Sequence, residues 1–145
     1  MKRLRTLLVD SNRHVQKAMR SFLVTRPEIE FVGWAASGEE ALRETVRQAP
    51  DLVLIDVDMP DMNAFETASR MRKLDHAVRI IMVALFDDCA YRARAKACGV
   101  LAVIPKLEVM DRLPELLAQL KAGQEDDSTT AAQYRALARQ AARAG

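Results

Sequence analysis

At 145 residues the chain suits one domain, since about 100 to 200 residues is usual, and with 50% of its residues hydrophobic it can bury a sizeable core. Its formal charge of +2 is uneven: all 20 acids and 19 of the 22 basic residues lie within residues 1–128, a net of −1, while Arg135, Arg139 and Arg143 add +3. A body so near neutral lacks the basic patch that meets nucleic-acid phosphates, and no apolar run approaches the ~18 residues of a membrane span. The opening "MKRLRTLLVDSNRH" turns polar too early for a signal peptide. A cytoplasmic protein without direct nucleic-acid or membrane binding is expected.

Hydrophobic period divides the chain into short apolar runs alternating with amphipathic stretches. "LRTLLV" (4–9) is a strand, followed by a helix over 12–25 with Val15, Met19, Phe22 and Leu23 on one face. "EFVGW" (30–34) is the second strand, and "SGEE" opens the second helix with a capping box of Ser37 and Glu40. That helix is expected to bury Ala41, Leu42 and Val46. "DLVLI" (51–55) precedes a third helix over 63–74 that offers Ala64, Ala68 and Met71. "RIIMVA" (79–84) precedes a fourth over 87–98, capped by Asp87 or Asp88 and stopped at Gly99. "LAVI" (101–104) precedes a fifth over 108–121, with Met110, Leu113, Leu117 and Leu120 at helical spacing.

Five strand–helix units result, and strands one, three, four and five are nearly all apolar, as parallel strands covered on both faces are. The expected fold is α/β: a doubly wound five-stranded parallel sheet, strand order 2-1-3-4-5, flanked by five helices. The domain is expected over 1–122. After Leu120 the pattern dissolves into "KAGQEDDSTT", and residues 123–145 read as a linker and an Ala/Arg-rich helical tail with its three arginines at intervals of four. Cys89 and Cys98 lie too far apart on one helix to bridge and are expected to be reduced thiols.

"DLVLIDVDMPDMN" places three acids, Asp56, Asp58 and Asp61, where a buried strand surfaces. An unpaired buried carboxylate costs several kcal/mol, so such acids meet solvent, a cation or chemistry. In an open doubly wound sheet, sites form at the carboxyl ends of strands where strand order reverses. Asp10 ends the first strand, Asp56 the third and Ala84 the fourth, and Lys106 follows the fifth. Asp10 and Asp56 are therefore expected to share a pocket, with Lys106 reaching in. Two carboxylates and an ammonium suit Mg²⁺ and a carboxylate attacking phosphorus to form an aspartyl phosphate. Equally open is a structural ion pair in which Lys106 neutralises the acids.

"LLVDS", "ASGEEAL", "PDLVLIDVDMP" and "IPK", in this order and at these intervals, resemble the receiver domain of two-component response regulators over residues 4–121. The resemblance implies that Asp56 is the phosphoacceptor, that Asp10 belongs to an acidic Mg²⁺ pocket with Asp56, that the backbone carbonyl of Asp58 is a metal ligand, and that Lys106 pairs with the phosphoryl group. It implies a histidine kinase as phosphodonor and output through a protein target or an effector domain. A homodimer through the fourth helix, fifth strand and fifth helix is a further expectation. Five departures accompany the match. Ser11 stands where the family usually has a second acid, so Mg²⁺ binding is expected to be weak; Ala84 replaces the usual Thr or Ser, and Val103 the usual aromatic. Ala64 stands for a common glycine, and Pro105 precedes Lys106 rather than following it.

Two other readings stay open. One is a receiver-like interaction module that needs no phosphate, with Asp10, Asp56 and Lys106 as a buried ionic cluster. The other takes Asp56 and Asp58 as the D-x-D of a haloacid dehalogenase-like phosphatase, although that motif normally closes the first strand of its fold and here Pro60 follows on the third. His14, near the pocket at the start of the first helix, reads as an exposed helix residue.

Overall fold

The computed structural model of the chain describes residues 3–61, 63–85 and 88–122. Strands and helices alternate as β1 (Leu4–Val9), α1 (Arg13–Leu23), β2 (Ile29–Ala35), α2 (Gly38–Gln48), β3 (Leu52–Asp56), α3 (Ala64–Leu74), β4 (Arg79–Ala84), α4 (Cys89–Ala97) and β5 (Ala102–Pro105). A 3₁₀ turn, Lys106–Glu108, then leads into α5 over 109–122. The strands pair in parallel in the order β2-β1-β3-β4-β5, the doubly wound arrangement expected. The expected tail helix and the Asp87 alternative lie outside the described residues.

Alternation along the strands supplies two cores, one on each face of the sheet. Leu7, Val9, Val53, Ile55, Ile80 and Met82 face α2, α3 and α4, where Ala41, Phe65, Ala68, Met71 and Ala95 complete the cluster. Leu4, Leu8, Leu52, Leu54, Ile81 and Ile104 face α1 and α5 and pack with Leu23, Leu113 and Leu117. Every residue of β3 is buried, which is why it reads as an unbroken apolar run ending in one acid.

Four helices start on side-chain caps, which satisfy amide donors left over in the first turn. The Asn12 side chain accepts from the amides of His14 and Val15, Ser37 from Glu40, Asn63 from Glu66 and Asp88 from Ala90. The capping box is displaced by one residue, because the Glu40 carboxylate accepts from the amide of Ala36 at 3.1 Å.

Two expectations about helix faces are corrected. Val46 is 67% exposed and Thr45 is buried in its place; the Thr45 hydroxyl donates to the carbonyl of Ala41 at 2.7 Å, so its polar atom is satisfied against the sheet. Met110 is 61% exposed, while Val109, Leu113 and Leu117 make the buried row. The 3₁₀ turn sets the phase of α5 by placing its first residue, Val109, on the inner face. Cys89 is exposed and Cys98 half-buried, and both are free thiols. Among the described residues no helix is long and apolar enough to cross a membrane.

Candidate functional site

Register brings the acids together. Val9 pairs with Ile55 across β1 and β3, so Asp10 and Asp56 leave the sheet side by side. Asp56 pairs with Val83 and Ala84 with Pro105, which carries Lys106 to the same end of the sheet. Its Nζ stands 3.4 Å from Asp56 Oδ2. Asp56 Oδ1 accepts the amide of Asp58 at 3.1 Å, and Asp10 Oδ1 accepts the amide of Asn12 at 2.8 Å.

Both carboxylates are buried, Asp10 at 4% and Asp56 at 5% exposure. Burial pushes the Asp10 carboxyl above its ordinary range; the amide of Asn12 opposes this, the neighbouring Asp56 charge adds to it, and Lys106 opposes it. The site thus holds more negative charge than its surroundings solvate, and a cation or a proton relieves it. Ser11 and the Asp58 side chain are exposed at its edge. Ala84, 1% exposed, brings no hydroxyl to the end of β4. Val103 lies on β5 opposite Met82 and packs against the α2–α3–α4 core.

The oxygen set fits a hard cation. Among the described residues no group of three or more acidic, His or Cys side chains converges as a metal cluster, but Mg²⁺ typically takes one or two carboxylates and completes its shell with water and substrate phosphate. Asp10 and Asp56 match that requirement on adjacent strand ends.

Three contributors escape a local reading of the sequence. Gln16, buried in α1, donates its side-chain amide to the backbone carbonyl of Asp10 and so fixes the end of β1. Asn12 acts twice, its backbone amide holding Asp10 while its side chain caps α1. The Asp61 carboxylate accepts the amides of Gly38 at 3.1 Å and Glu39 at 3.3 Å, tying the loop after β3 to the start of α2. His14 is exposed, and its described hydrogen bond is its backbone amide to Asn12.

The family model described as the response regulator receiver domain matches residues 6–118. A protein-glutamate methylesterase/protein-glutamine glutaminase from Geobacillus kaustophilus is 40% identical over 83 residues, covering 57% of this chain and 24% of that protein. The response regulator protein VraR of Staphylococcus aureus is 35% identical over 92 residues, covering 62% of this chain and 44% of VraR. The chain therefore spans under half the length of these curated relatives. Among solved structures, the response regulator domain of Thermotoga maritima CheB superposes with a TM-score of 0.75 at 26% identity, covering 81% of this chain and 96% of that one. A LuxR-family two-component response regulator from Aurantimonas superposes with a TM-score of 0.78 at 25% identity, covering 93% and 99%. With five strands in the order 2-1-3-4-5, an acid pair at the ends of β1 and β3 and this match over most of its length, the chain belongs to the response regulator receiver domains of two-component signalling.

Proposed function

We propose that this receiver accepts a phosphoryl group on Asp56 from a histidine kinase and that its conformational switch is depleted. The observation that carries the first part is the contact of Lys106 Nζ with Asp56 Oδ2 at 3.4 Å. That separation is longer than the ~2.8 Å of a tight charge-assisted bond, so the ammonium sits beside the nucleophile without being locked to it. Asp56 attacks phosphorus, the bond from phosphorus to the phosphohistidine nitrogen breaks with its electron pair going to the ring, and an acyl phosphate forms. Lys106 then faces the new phosphoryl charge. The amide of Asp58 holds Asp56 in place through Oδ1. Asp10 and Asp56, with the Asp58 carbonyl, would hold Mg²⁺, which when bound neutralises charge on the phosphoryl oxygens.

The second part rests on three positions. Ser11 leaves the site with two buried carboxylates, so Mg²⁺ binds weakly; Ala84 has no hydroxyl to follow the phosphoryl group; Val103 has no ring to turn inward. The same positions support a second reading, a phosphate-independent interaction module in which Lys106 and the two acids form a structural cluster. The dehalogenase-like reading loses its footing because Asp56 closes the third strand of a receiver sheet.

Acetyl phosphate with Mg²⁺ is expected to add one phosphoryl group to the wild type, labile to hydroxylamine, and none to Asp56→Asn, read by intact mass. An adduct that survives in the Asn variant contradicts the assignment. A wild type that stays unmodified favours the phosphate-independent module.

A further inference from the structure

A groove of about 530 Å³ opens between α4 and β5, away from the acid pair. Arg79, the first residue of β4, reaches it and pairs with Leu52, four residues before Asp56. At ~3.3 Å per residue that is about 13 Å along the sheet. Four cationic side chains line the groove, Arg72, Arg79, Arg92 and Lys96, and no acidic side chain does among the described residues lining it. Its floor includes Ala95 and Val100, both buried, and Leu101 and Val103 give it apolar walls.

One of the cations is held in position. Arg72 Nη1 donates to the carbonyl of Val78 at 2.8 Å. Its shaft runs against Gly99, whose φ of +79° makes the turn out of α4 and where a Cβ would stand 3.0 Å from Arg72 Nε. Like charges gathered in a concavity with low-dielectric walls focus a positive potential there. The volume falls within the ~300 to 1,000 Å³ of small-molecule sites, which combine apolar walls with a few convergent polar groups.

We infer that the α4–β5 groove binds a small polyanion of nucleotide size, carrying two or more phosphate groups on Arg72, Arg79 and Lys96 and resting its body on Leu101 and Val103. A recessed floor favours a small molecule over an acidic protein surface, which needs about 800 Å² of matching face on each side. Because Val103 lines the groove, occupancy bears on β5 directly and is independent of whether Asp56 accepts phosphate.

The test titrates the described domain within the full chain, in EDTA to keep the acid pair free of metal, with tripolyphosphate, ATP and AMP, using calorimetry and amide chemical shifts. Tripolyphosphate and ATP are expected to bind, ATP about tenfold or more tighter than AMP, with shifts centred on residues 95–103 and on Arg72 and Arg79. Arg79→Gln with Lys96→Gln, at a half-buried and an exposed position, is expected to weaken ATP about tenfold or more while leaving acetyl phosphate labelling of Asp56 unchanged. Absence of heat and shifts up to about 5 mM ligand, shifts centred on Asp10 and Lys106, or an unaltered affinity in the double variant overturns the inference. A polyglutamate peptide that binds as tightly as ATP also overturns it and gives the groove to an acidic protein partner.

Discussion

Asp10 is folded into a place that opposes its ionisation, chiefly through burial. Its folded-state pKa lies above the unfolded value, so below about pH 3.9 both states are neutral and the site costs nothing. As pH rises through the folded pKa the unfolded chain has already released its proton, the folded state binds more, and stability falls and then stays lower. Asp10→Asn keeps an oxygen to accept the amide of Asn12 and removes the charge. In chelator, the variant is expected to be more stable than the wild type at about pH 7, an advantage that shrinks towards about pH 3.5 in urea unfolding. A difference independent of pH would show that the carboxylate charge is not what burial opposes. Ser11, exposed beside Asp10, is the complementary position. Ser11→Asp adds a hard oxygen ligand and is expected to tighten Mg²⁺ about tenfold in a calorimetric titration, since affinity follows ligand charge; an unchanged affinity would mean that the metal is held elsewhere.

At the start of α2, three successive amides find side-chain acceptors: Gly38 and Glu39 on Asp61, and Glu40 on Ser37. The clamp binds the loop that follows Asp56 to a different helix. Asp61→Ala is expected to cost about 1 kcal/mol in urea unfolding, as removal of a good cap does, with Asp61→Asn retaining part of it; a loss near zero would mean that water serves these amides equally well. The Ser37 half of this device was legible, because a cap and its amide lie three residues apart. The Asp61 half was not, because it acts across 22 and 23 residues and needs the tertiary fold to exist. The strands were legible for the opposite reason: burial on both faces of a parallel sheet forces apolar runs, and β1 and β4 have the bounds their composition implies. Helix faces were less so. Hydropathy ranks Val46 above Thr45, yet a threonine whose hydroxyl bonds the preceding turn buries without an unsatisfied group. Asp10, Asp56 and Lys106 stood out as polar residues ending apolar runs, whereas buried Gln16, which steadies Asp10, sits inside an amphipathic helix where nothing in the spacing marks it.

Across the whole molecule the acid pair and the basic groove occupy different regions of one sheet, and β5 touches both, through Lys106 after its end and Val103 within it. A ligand shifts a conformational equilibrium only through differential interaction with its two states. On the proposed reading, Ala84, buried at the end of β4, offers a phosphoryl group on Asp56 no hydroxyl to draw in, and Val103, packed against the core, has no ring to turn, so phosphorylation would have little purchase on the surface of α4, β5 and α5. Partner binding or self-association through that surface is therefore expected to be largely constitutive. The most direct measurement compares amide exchange, and the partner affinity or oligomer equilibrium, with and without Mg²⁺ and beryllofluoride, a mimic of the phosphoryl group. Protection is expected to change around Asp10, Asp56 and Lys106, while residues 88–104 and 109–122 hold and the equilibrium moves less than tenfold, about 1.4 kcal/mol. A larger shift localised to those segments would contradict the depleted switch, and an unchanged Asp56 under saturating mimic would contradict the phosphoacceptor itself.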